Sequence, residues 1–566
     1  MISIDPEKLA IAFLKPGTPM LAELLLRLKT DEGDLSDTRR RDLASGLRGI
    51  AKALNQTPET VPADLGWLQP RLNKVAPAAL GMTPKSWSNT LSNAKAALEH
   101  FDLAKRRVRR RKHLCPVWND LWCQQQATSE RSIGAAVGNF VFFLSSLGIA
   151  PEDVRSEHAL AYRDALVENE IRKSPEETYR KAIDGWNRAV RRHEFWPRQT
   201  LTASSRSRTL APKLTDLPES FAVELDAYLH GLAHPDPLAD EGPTVALRPA
   251  TIKTRGFQIM RFAGVLNQTG IPLGDMVSLA VLVTPEHAER GLRWMLARRG
   301  NQTTKDIQNI ASLLLTMARS FVHSHDSEIR ALEKLAAKLA TRRQEGMTPK
   351  NRDRLRVFNE PKALQKLLAL PERLFARAEQ GEDTPRAKLE REDAVALAIL
   401  QNYPIRRKNL VEIHLDRNLH RSGDGSVYLI FEEGETKTRR TIEFLLLPDI
   451  IRMIDRHVAT RSPKLCPSGT RWLFPRRDGN GPMAPAQMST RISTRIHREL
   501  GLEFNTHLHR HLAAKILLND QPGSYEVVRR LLGHSSTSST LNAYVGFEAG
   551  TSAKLYADVL NKARRA

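Results

Sequence analysis

The chain has 566 residues, of which 41% are hydrophobic, and this length is too great for a single hydrophobic core. Its 86 lysines and arginines outnumber its 64 aspartates and glutamates, and the formal net charge of +22 indicates a polyanionic partner. The sequence contains no apolar run of membrane-spanning length, and its first residues carry acids where a secretory signal carries bases, so we expect a cytoplasmic protein without a membrane partner.

The sequence carries no pattern that is typical of a cofactor site. Cys115, Cys123 and Cys466 match neither a disulfide framework nor the ligand spacing of zinc, and we interpret them as reduced core cysteines. It has no Walker-type glycine loop, no His-Glu-x-x-His pair and no EF-hand loop. We therefore expect no metal, nucleotide or other cofactor, and any chemistry must come from side chains alone.

Helical periodicity dominates the chain before residue 350. Polar or proline-rich stretches interrupt it at 201–216, 233–249 and 341–356. These breaks predict a mainly α, multi-domain protein with four parts: an N-terminal helical domain (1–104), a second helical, SAM-like domain (113–200), a third helical domain (217–345) and a last domain (355–566).

Two groups of cations are candidates for contact with a nucleic-acid backbone. Seven cations in eight positions lie between the first two domains: Lys105, Arg106, Arg107, Arg109, Arg110, Arg111 and Lys112. Such a run is often only a solvated surface, but its place between folded domains favours binding to DNA phosphates. The early helices of the third domain add Arg248, Lys253, Arg255 and Arg261, which a solvated face explains nearly as well.

The last domain has a different pattern, which predicts helices together with a small antiparallel sheet. Two strands are predicted at 426–433 and 441–447, joined by a long hairpin loop at 434–440. The predicted helices are 390–402, 486–500, 506–518, 525–532, 540–545 and 551–565. The expected fold class of this domain is therefore α+β.

Six scattered polar residues in the last domain suit metal-free cleavage of a phosphodiester: Arg406, Lys437, His507, Arg510, His534 and Tyr544. Bidentate guanidiniums match the oxygens of a phosphate, and a tyrosine hydroxyl can attack phosphorus once cations and a proton acceptor surround it. A lysine on a hairpin loop can reach the DNA and protonate the leaving 5′-oxygen.

Local patterns support this set. His507 and Arg510 are three residues apart at the start of a helix that Asn505 or Thr506 can cap, so both project from one face. Gly533 can end the preceding helix in a left-handed cap and hold His534 at the turn.

Each candidate has a competitor. Arg407 and Lys408 compete with Arg406, but the helix before them and the Asn-Leu pair after them favour Arg406. Arg439 and Arg440 compete with Lys437. The remaining competitors are His509 and His511, which we interpret as structural or DNA-facing, and Tyr556, to which an amphipathic helix assigns a packing role.

The ordered set of Arg, Lys, His-x-x-Arg, Gly-His and Tyr over residues 355–562 resembles the catalytic domain of the tyrosine recombinase (phage integrase) family. The resemblance implies that Arg406 and Arg510 clamp the scissile phosphate, that His507 assists proton transfer and that Lys437 protonates the leaving group. It further implies that His534 stabilises the transition state and that Tyr544 forms a 3′-phosphotyrosyl link.

Three features depart from the family's pattern. The acid that usually follows the first arginine by three residues is replaced by Asn409, for which Glu412 is a possible substitute. His509 stands where leucine is common, and the spacing from His534 to Tyr544 is one residue longer than the commonest one. None of these departures removes a group with a chemical role.

The resemblance implies an integrase or transposition protein of a mobile element that acts on double-stranded DNA as a tetramer, alone or with sister recombinases, and is associated with the nucleoid. It also implies that the 217–345 domain is the core-binding domain. Two alternatives remain open: a monomeric, type IB topoisomerase-like enzyme, and a catalytically silent DNA-binding or architectural protein. The last helix either packs onto its own domain or onto a neighbouring subunit.

Overall fold

A computed structural model describes residues 14, 17–30, 35–104, 114–169, 174–203, 210–238, 242–341, 346–463, 466, 469–544 and 549–565. The chain divides into two compact units, one formed by Met1–Ala203 together with Glu345–Ala566 and the other by Ser204–Gln344. The predicted basic run at 105–112 lies outside the described residues.

The first unit begins with four helices, which we number α1 to α4: Leu21–Thr30, Asp37–Ala53, Leu65–Leu72 and Pro84–His100. Their apolar faces, including Leu47, Ile50 and Leu98, form one buried cluster. Helices α2 and α4 approach closely at Gly46, where a Cβ atom would lie 2.5 Å from the backbone nitrogen of Ala94.

Four more helices follow in the same unit, α5 to α8: Pro116–Ala127, Arg131–Ser146, Ser156–Asn169 and Pro175–Arg192. Their core is rich in aromatic side chains. The ring centroid of Trp186 lies 5.2 Å from that of Trp196 and 6.0 Å from that of Phe140, both in edge-on contacts that favour aromatic packing.

The second unit contains helices α9 to α14: Glu219–Ala233, Pro249–Gln268, Ala280–Val283, Pro285–Ala297, Lys305–Met317 and Asp326–Lys338. They enclose a separate apolar core that includes Phe221, Phe262, Ile310 and Met317. Short 3₁₀ or π helices of this unit are Leu214–Asp216, Leu273–Asp275 and Ala318–Val322, and those of the first unit are Pro77–Leu80, Pro151–Asp153 and Val357–Asn359.

The carboxy-terminal part of the first unit holds eleven described helices, α15 to α25: Pro349–Arg356, Pro361–Leu368, Leu370–Gln380, Pro385–Asn402, Arg407–Val411, Pro448–Ala459, Pro485–Leu500, Thr506–Asp520, Tyr525–Leu532, Thr537–Tyr544 and Ala549–Arg565. Its core includes residues from Met347 to Tyr544, so part of the polar stretch that was predicted at 341–356 belongs to this core. The cause is the helix at Pro349–Arg356, whose Leu355 turns inward.

A three-stranded antiparallel sheet lies among these helices in the order β1 (Leu419–Arg421), β2 (Val427–Phe431) and β3 (Ile442–Leu445). Leu429 pairs with both Leu419 and Phe444. Along β2 the buried side chains alternate with partly exposed ones, as expected for a sheet with one face on the core. The predicted mainly α class with a small antiparallel sheet is confirmed, with one strand more than the sequence indicated.

A buried network of charges joins α18 (Pro385–Asn402) to α21 (Pro485–Leu500). Asp393 accepts hydrogen bonds from Arg491 at 2.6 Å and from Arg495 at 2.8 Å, and Arg495 also lies 3.2 Å from Glu390. Because removing one partner would leave the others charged and desolvated, the network holds the two helices in one register. These helices lead directly into the segments that carry Arg406 and His507.

The N-terminal helices contact the carboxy-terminal part just before α22 (Thr506–Asp520). Gly501 ends α21 with a φ of +74°, and a Cβ atom there would lie 2.5 Å from the Cβ atom of Ala79. Glycine meets both requirements at once, since it accepts the left-handed conformation and leaves room for the neighbouring chain.

Candidate active site

The site is built around the first turns of α22. The side chain of Asn505 accepts hydrogen bonds from the backbone nitrogens of His507 and Leu508, which caps the helix as the sequence predicted. His507 is exposed, whereas Arg510 is buried on the same helix. The next residue, His511, lies one turn after His507, and their ring centroids are 4.6 Å apart.

Arg510 ties three chain segments together. One of its guanidinium nitrogens donates to the carbonyl oxygen of Pro404, and another donates to the carbonyl oxygen of Leu532 at 2.6 Å. Pro404 comes shortly before Arg406 and Leu532 shortly before His534. Burial, followed by the nearby charge of Arg406, lowers the pKa of Arg510 to about 10, so it remains a cation at neutral pH.

Arg406 directly precedes the short helix α19 (Arg407–Val411) and is half-buried. Its charge helps to lower the pKa of Arg510 and of His534, which places it in the same electrostatic environment. Arg407 and Lys408 are exposed, and Lys408 lies 3.5 Å from Glu412. Burial raises the pKa of Glu412 above its usual value, and Lys408 opposes this effect.

The turn at Gly533 has the left-handed conformation that the sequence predicted, with a φ of +58°. A Cβ atom at Gly533 would lie 2.6 Å from the side chain of Ile442, so a larger residue would also clash with β3. The turn sets the ring of His534, whose Nδ1 lies 2.9 Å from the hydroxyl of the buried Thr540. Burial, with the charges of Arg510 and Arg406, lowers the pKa of His534 to about 4.

Tyr544 ends α24 (Thr537–Tyr544) and is only 3% exposed. Its hydroxyl lies 3.1 Å from Nδ1 of His511, and its ring is nearly parallel to that of His534 at a centroid distance of 6.2 Å. Burial raises the pKa of Tyr544 to about 12 although the charge of Arg510 opposes this effect. The phenol is therefore protonated at neutral pH, and its reaction with phosphorus requires a proton acceptor.

Lys437 is exposed in the loop between β2 and β3, and this loop is attached to the site on both sides. Before Lys437, the side chain of Asn409 donates to the carbonyl oxygen of Glu435 at 3.1 Å. After it, the hydroxyl of Thr438 donates to the carbonyl oxygen of Gly533 at 3.1 Å. Asn409, which replaces the family's usual acid, thus connects the helix after Arg406 to the loop of Lys437.

The histidines of α22 are kept neutral. Burial lowers the pKa of His509 to about 3 and, together with His507, Arg510 and His534, lowers the pKa of His511 to about 3. The pKa of His507 is also lowered, first by desolvation and then by Arg510, Arg407 and Arg406. A neutral imidazole has one nitrogen that can accept a proton, which an imidazolium lacks.

The structure brings together Arg406, His507, Arg510, His534 and Tyr544 and attaches the loop of Lys437 to them. The structure also places His511 against the hydroxyl of Tyr544, a contact that the sequence analysis, which interpreted His511 as structural or DNA-facing, did not predict. Its position one residue after Arg510 and four after His507 was the available signal. Tyr556 is 66% exposed and Val559 62% exposed, so these two side chains are not packed onto their own domain, and packing onto a neighbouring subunit stays a prediction.

The predicted DNA contacts of the second unit lie on α10 (Pro249–Gln268) or at its start. Lys253 is exposed and Arg248 is partly exposed. Arg255 donates to the hydroxyl of Tyr228 at 3.4 Å. Arg261 forms an ion pair with Asp306 at 2.7 Å, so its charge is already partly neutralised within the unit.

Within the described part of the chain, no group of three or more histidine, cysteine or acidic side chains is arranged to hold a metal ion. Over the same residues, the helices are too short or too polar to span a bilayer.

Residues 371–549 match the model of the phage integrase family. Together with the motif order, this match confirms the predicted resemblance: residues 371–549 belong to the phage integrase family of tyrosine recombinases. No curated protein sequence matches the chain.

Several solved structures are similar to parts of the chain. XerH site-specific recombinase bound to its difH substrate is 12% identical over 58% of this chain and 94% of its own, with a TM-score of 0.35. The Tn1549 transposon integrase in complex with circular intermediate DNA is 15% identical over 56% of this chain and 94% of its own, with a TM-score of 0.33. An integrase from mycobacterium phage Brujita is 15% identical over 58% of this chain and 89% of its own, with a TM-score of 0.21.

Proposed function

We propose that the chain is a site-specific DNA recombinase, an integrase or transposition protein of a mobile element, that cuts and rejoins DNA through a 3′-phosphotyrosyl intermediate. One observation carries this proposal: the buried hydroxyl of Tyr544 lies 3.1 Å from an imidazole, in a site that also contains the buried guanidinium of Arg510. A tyrosine used only for packing does not need a cluster of cations and histidines around its oxygen.

In the proposed reaction, the phenolic oxygen of Tyr544 attacks the scissile phosphorus and loses its proton as the new oxygen–phosphorus bond forms. The bond from phosphorus to the 5′-oxygen breaks, and this oxygen takes a proton from Lys437. Arg406 and Arg510 bind the non-bridging oxygens, on which negative charge accumulates, and His534 donates a further hydrogen bond. His507 assists proton transfer at the exposed side of the site. Rejoining is the same sequence in reverse.

The site's electrostatics support a role for fixed charges. Arg510 is held by two backbone carbonyls before any substrate binds, so its donors need no reorganisation during the reaction. We propose that this positive environment replaces a metal ion and that the phosphotyrosyl bond replaces ATP as the store of energy.

The rest of the chain fits the same proposal. The exposed apolar side chains on α25 suit packing against a second copy, as a tetramer on two synapsed duplexes requires. We propose that the 217–345 domain holds the other side of the DNA, with Lys253 and Arg255 as phosphate contacts. The domains at 1–104 and 113–200, with the basic run between them, would bind flanking DNA or sister recombinases.

The proposal is tested with nicked suicide duplexes that tile the DNA on either side of the coding region. The unmodified chain should become covalently attached to the 3′ end of one duplex, and Tyr544→Phe should not. Equal trapping by both proteins would show that Tyr544 is not the nucleophile. Trapping by neither would favour a catalytically silent DNA-binding protein. Assemblies that contain one duplex rather than two would favour a topoisomerase-like enzyme.

A further inference from the structure

The strongest unassigned feature of the site is the contact between His511 and Tyr544. Nδ1 of His511 lies 3.1 Å from the phenolic oxygen, and the two rings meet edge to face at a centroid distance of 5.5 Å. This is hydrogen-bonding distance to the reacting atom itself. His507 is one turn away on the exposed side of the helix and stacks edge-on against the ring of His511.

We infer that His511 is the general base that takes the proton of Tyr544 during cleavage and returns it during rejoining. The inference rests on the proposed function. The phenol donates its hydrogen to Nδ1, which requires the neutral ring to carry its own proton on Nε2. As the oxygen–phosphorus bond forms, the oxygen–hydrogen bond breaks and His511 becomes an imidazolium. His507 then assists this transfer from the exposed side of the site, beside the ring of His511.

The surroundings of His511 explain why it is available as a base. The groups that face it are His507 and Arg510 from its own helix, His534 from the turn after α23 (Tyr525–Leu532) and Tyr544 from α24. Burial and the charge of Arg510 oppose its protonation, so its lone pair is free at neutral pH. A phosphate bound between the arginines would neutralise part of that charge and make proton transfer easier.

Replacing the imidazole of His511 by an amide distinguishes two roles for this residue: a base that takes the proton of Tyr544, and a group that only hydrogen-bonds to it. An asparagine at position 511 places an amide oxygen or nitrogen near the present position of Nδ1, but it does not accept a proton. His511→Asn should therefore keep the tyrosine in place and still lose single-turnover cleavage by about 10²–10⁴-fold. If His511 only positions the phenol, His511→Asn will cleave at the normal rate while His511→Ala will not, and the inference is overturned.

The pH profile provides a second readout that a structural role would not change. Cleavage by the unmodified chain should be nearly flat from about pH 6 to 9, because the base stays neutral throughout. In His511→Asn the rate should rise about tenfold per pH unit, since it depends on the small ionised fraction of Tyr544. A flat profile in this variant would contradict the inference.

A duplex with sulfur in place of the leaving 5′-oxygen distinguishes deprotonation of Tyr544 by His511 from protonation of the leaving group by Lys437. A thiolate leaves without a proton, so the modified duplex should restore cleavage by Lys437→Ala but not by His511→Asn. Restoration of both variants would assign His511 to the leaving group instead. His509→Asn is the matched control, because His509 is a buried imidazole of the same helix that contacts Phe504. It should cleave normally below its unfolding temperature.

The two hypotheses fail in different ways. If the unmodified chain forms an adduct and His511→Asn matches it in rate and pH profile, the inference falls and the recombinase function stands. If the unmodified chain forms no adduct on any flanking duplex, both fall together.

Discussion

Replacing Arg510 by lysine tests the claim that one guanidinium organises the whole site. Lysine keeps the positive charge, but its single nitrogen cannot span the carbonyl oxygens of Pro404 and Leu532 as the planar fork does. At least one buried carbonyl then loses its charged donor. A hydrogen bond to a charged group contributes about 1.5–3 kcal/mol, so we expect the free energy of unfolding to fall by about that amount.

The loss of activity should be larger than the loss of stability suggests. Arg510 aligns the segments of Arg406 and His534 and, in the proposed function, also binds the phosphate. Removal of one preorganised donor from a transition state costs about 10²–10³ in rate. Single-turnover cleavage of the suicide duplex measures this effect, and urea unfolding measures the stability. Arg407→Lys is the control, because Arg407 is exposed and adjacent to Arg406. An Arg510→Lys protein with normal cleavage and normal stability would refute the reasoning.

Three other changes have expected outcomes. His457 and His509 are buried and their pKa values are lowered to about 3, so below about pH 6.5 the unfolded chain binds protons that the folded chain does not. The free energy of unfolding should therefore fall by about 1 kcal/mol per pH unit per histidine as the pH drops below about 6.5. Urea titrations at pH 7 and 5 measure this change, and an unchanged midpoint would contradict it. Thr438→Val removes the hydrogen bond from the Lys437 loop to the carbonyl oxygen of Gly533. Cleavage of the normal duplex should slow about tenfold, whereas cleavage of the duplex with a 5′-sulfur should not. Equal slowing on both duplexes would argue against a role of this loop in positioning Lys437. Asn505→Ala removes a helix cap and should lower the unfolding free energy by about 1 kcal/mol, whereas an unaffected midpoint would mean that water replaces the cap.

Local rules were enough to predict part of the site. The cap at Asn505 and the left-handed turn at Gly533 each depend on a few neighbouring residues, and both have the predicted form. The placement of five of the six predicted residues near one another depended on the resemblance to a known family, because spacing alone does not bring Arg406 to Arg510.

Other features depend on contacts between distant segments, which periodicity does not reveal. His511 was interpreted as structural or DNA-facing because its spacing from His507 and Arg510 shows only that the three share a helix; the fold is what places it against Tyr544. Asn409 was noted as a departure from the family's acid, and the sequence did not predict that its amide reaches the loop of Lys437. Tyr556 was expected to be packed because its helix is amphipathic, but an apolar face does not indicate which surface covers it.

The fold places Tyr544 in the candidate site of its own chain, and this has a consequence when two variants of the protein are present together. Tyr544, His511 and Arg510 are joined by contacts within one chain, so a copy with Tyr544→Phe has no spare phenol to borrow from a neighbour with Arg510→Ala. Coexpressed defective copies should fail to complement each other, and each should instead act as a dominant inhibitor when it enters an assembly with intact ones. If the proposed function holds, damaged copies of the gene would therefore lower the activity of the intact copies with which they assemble.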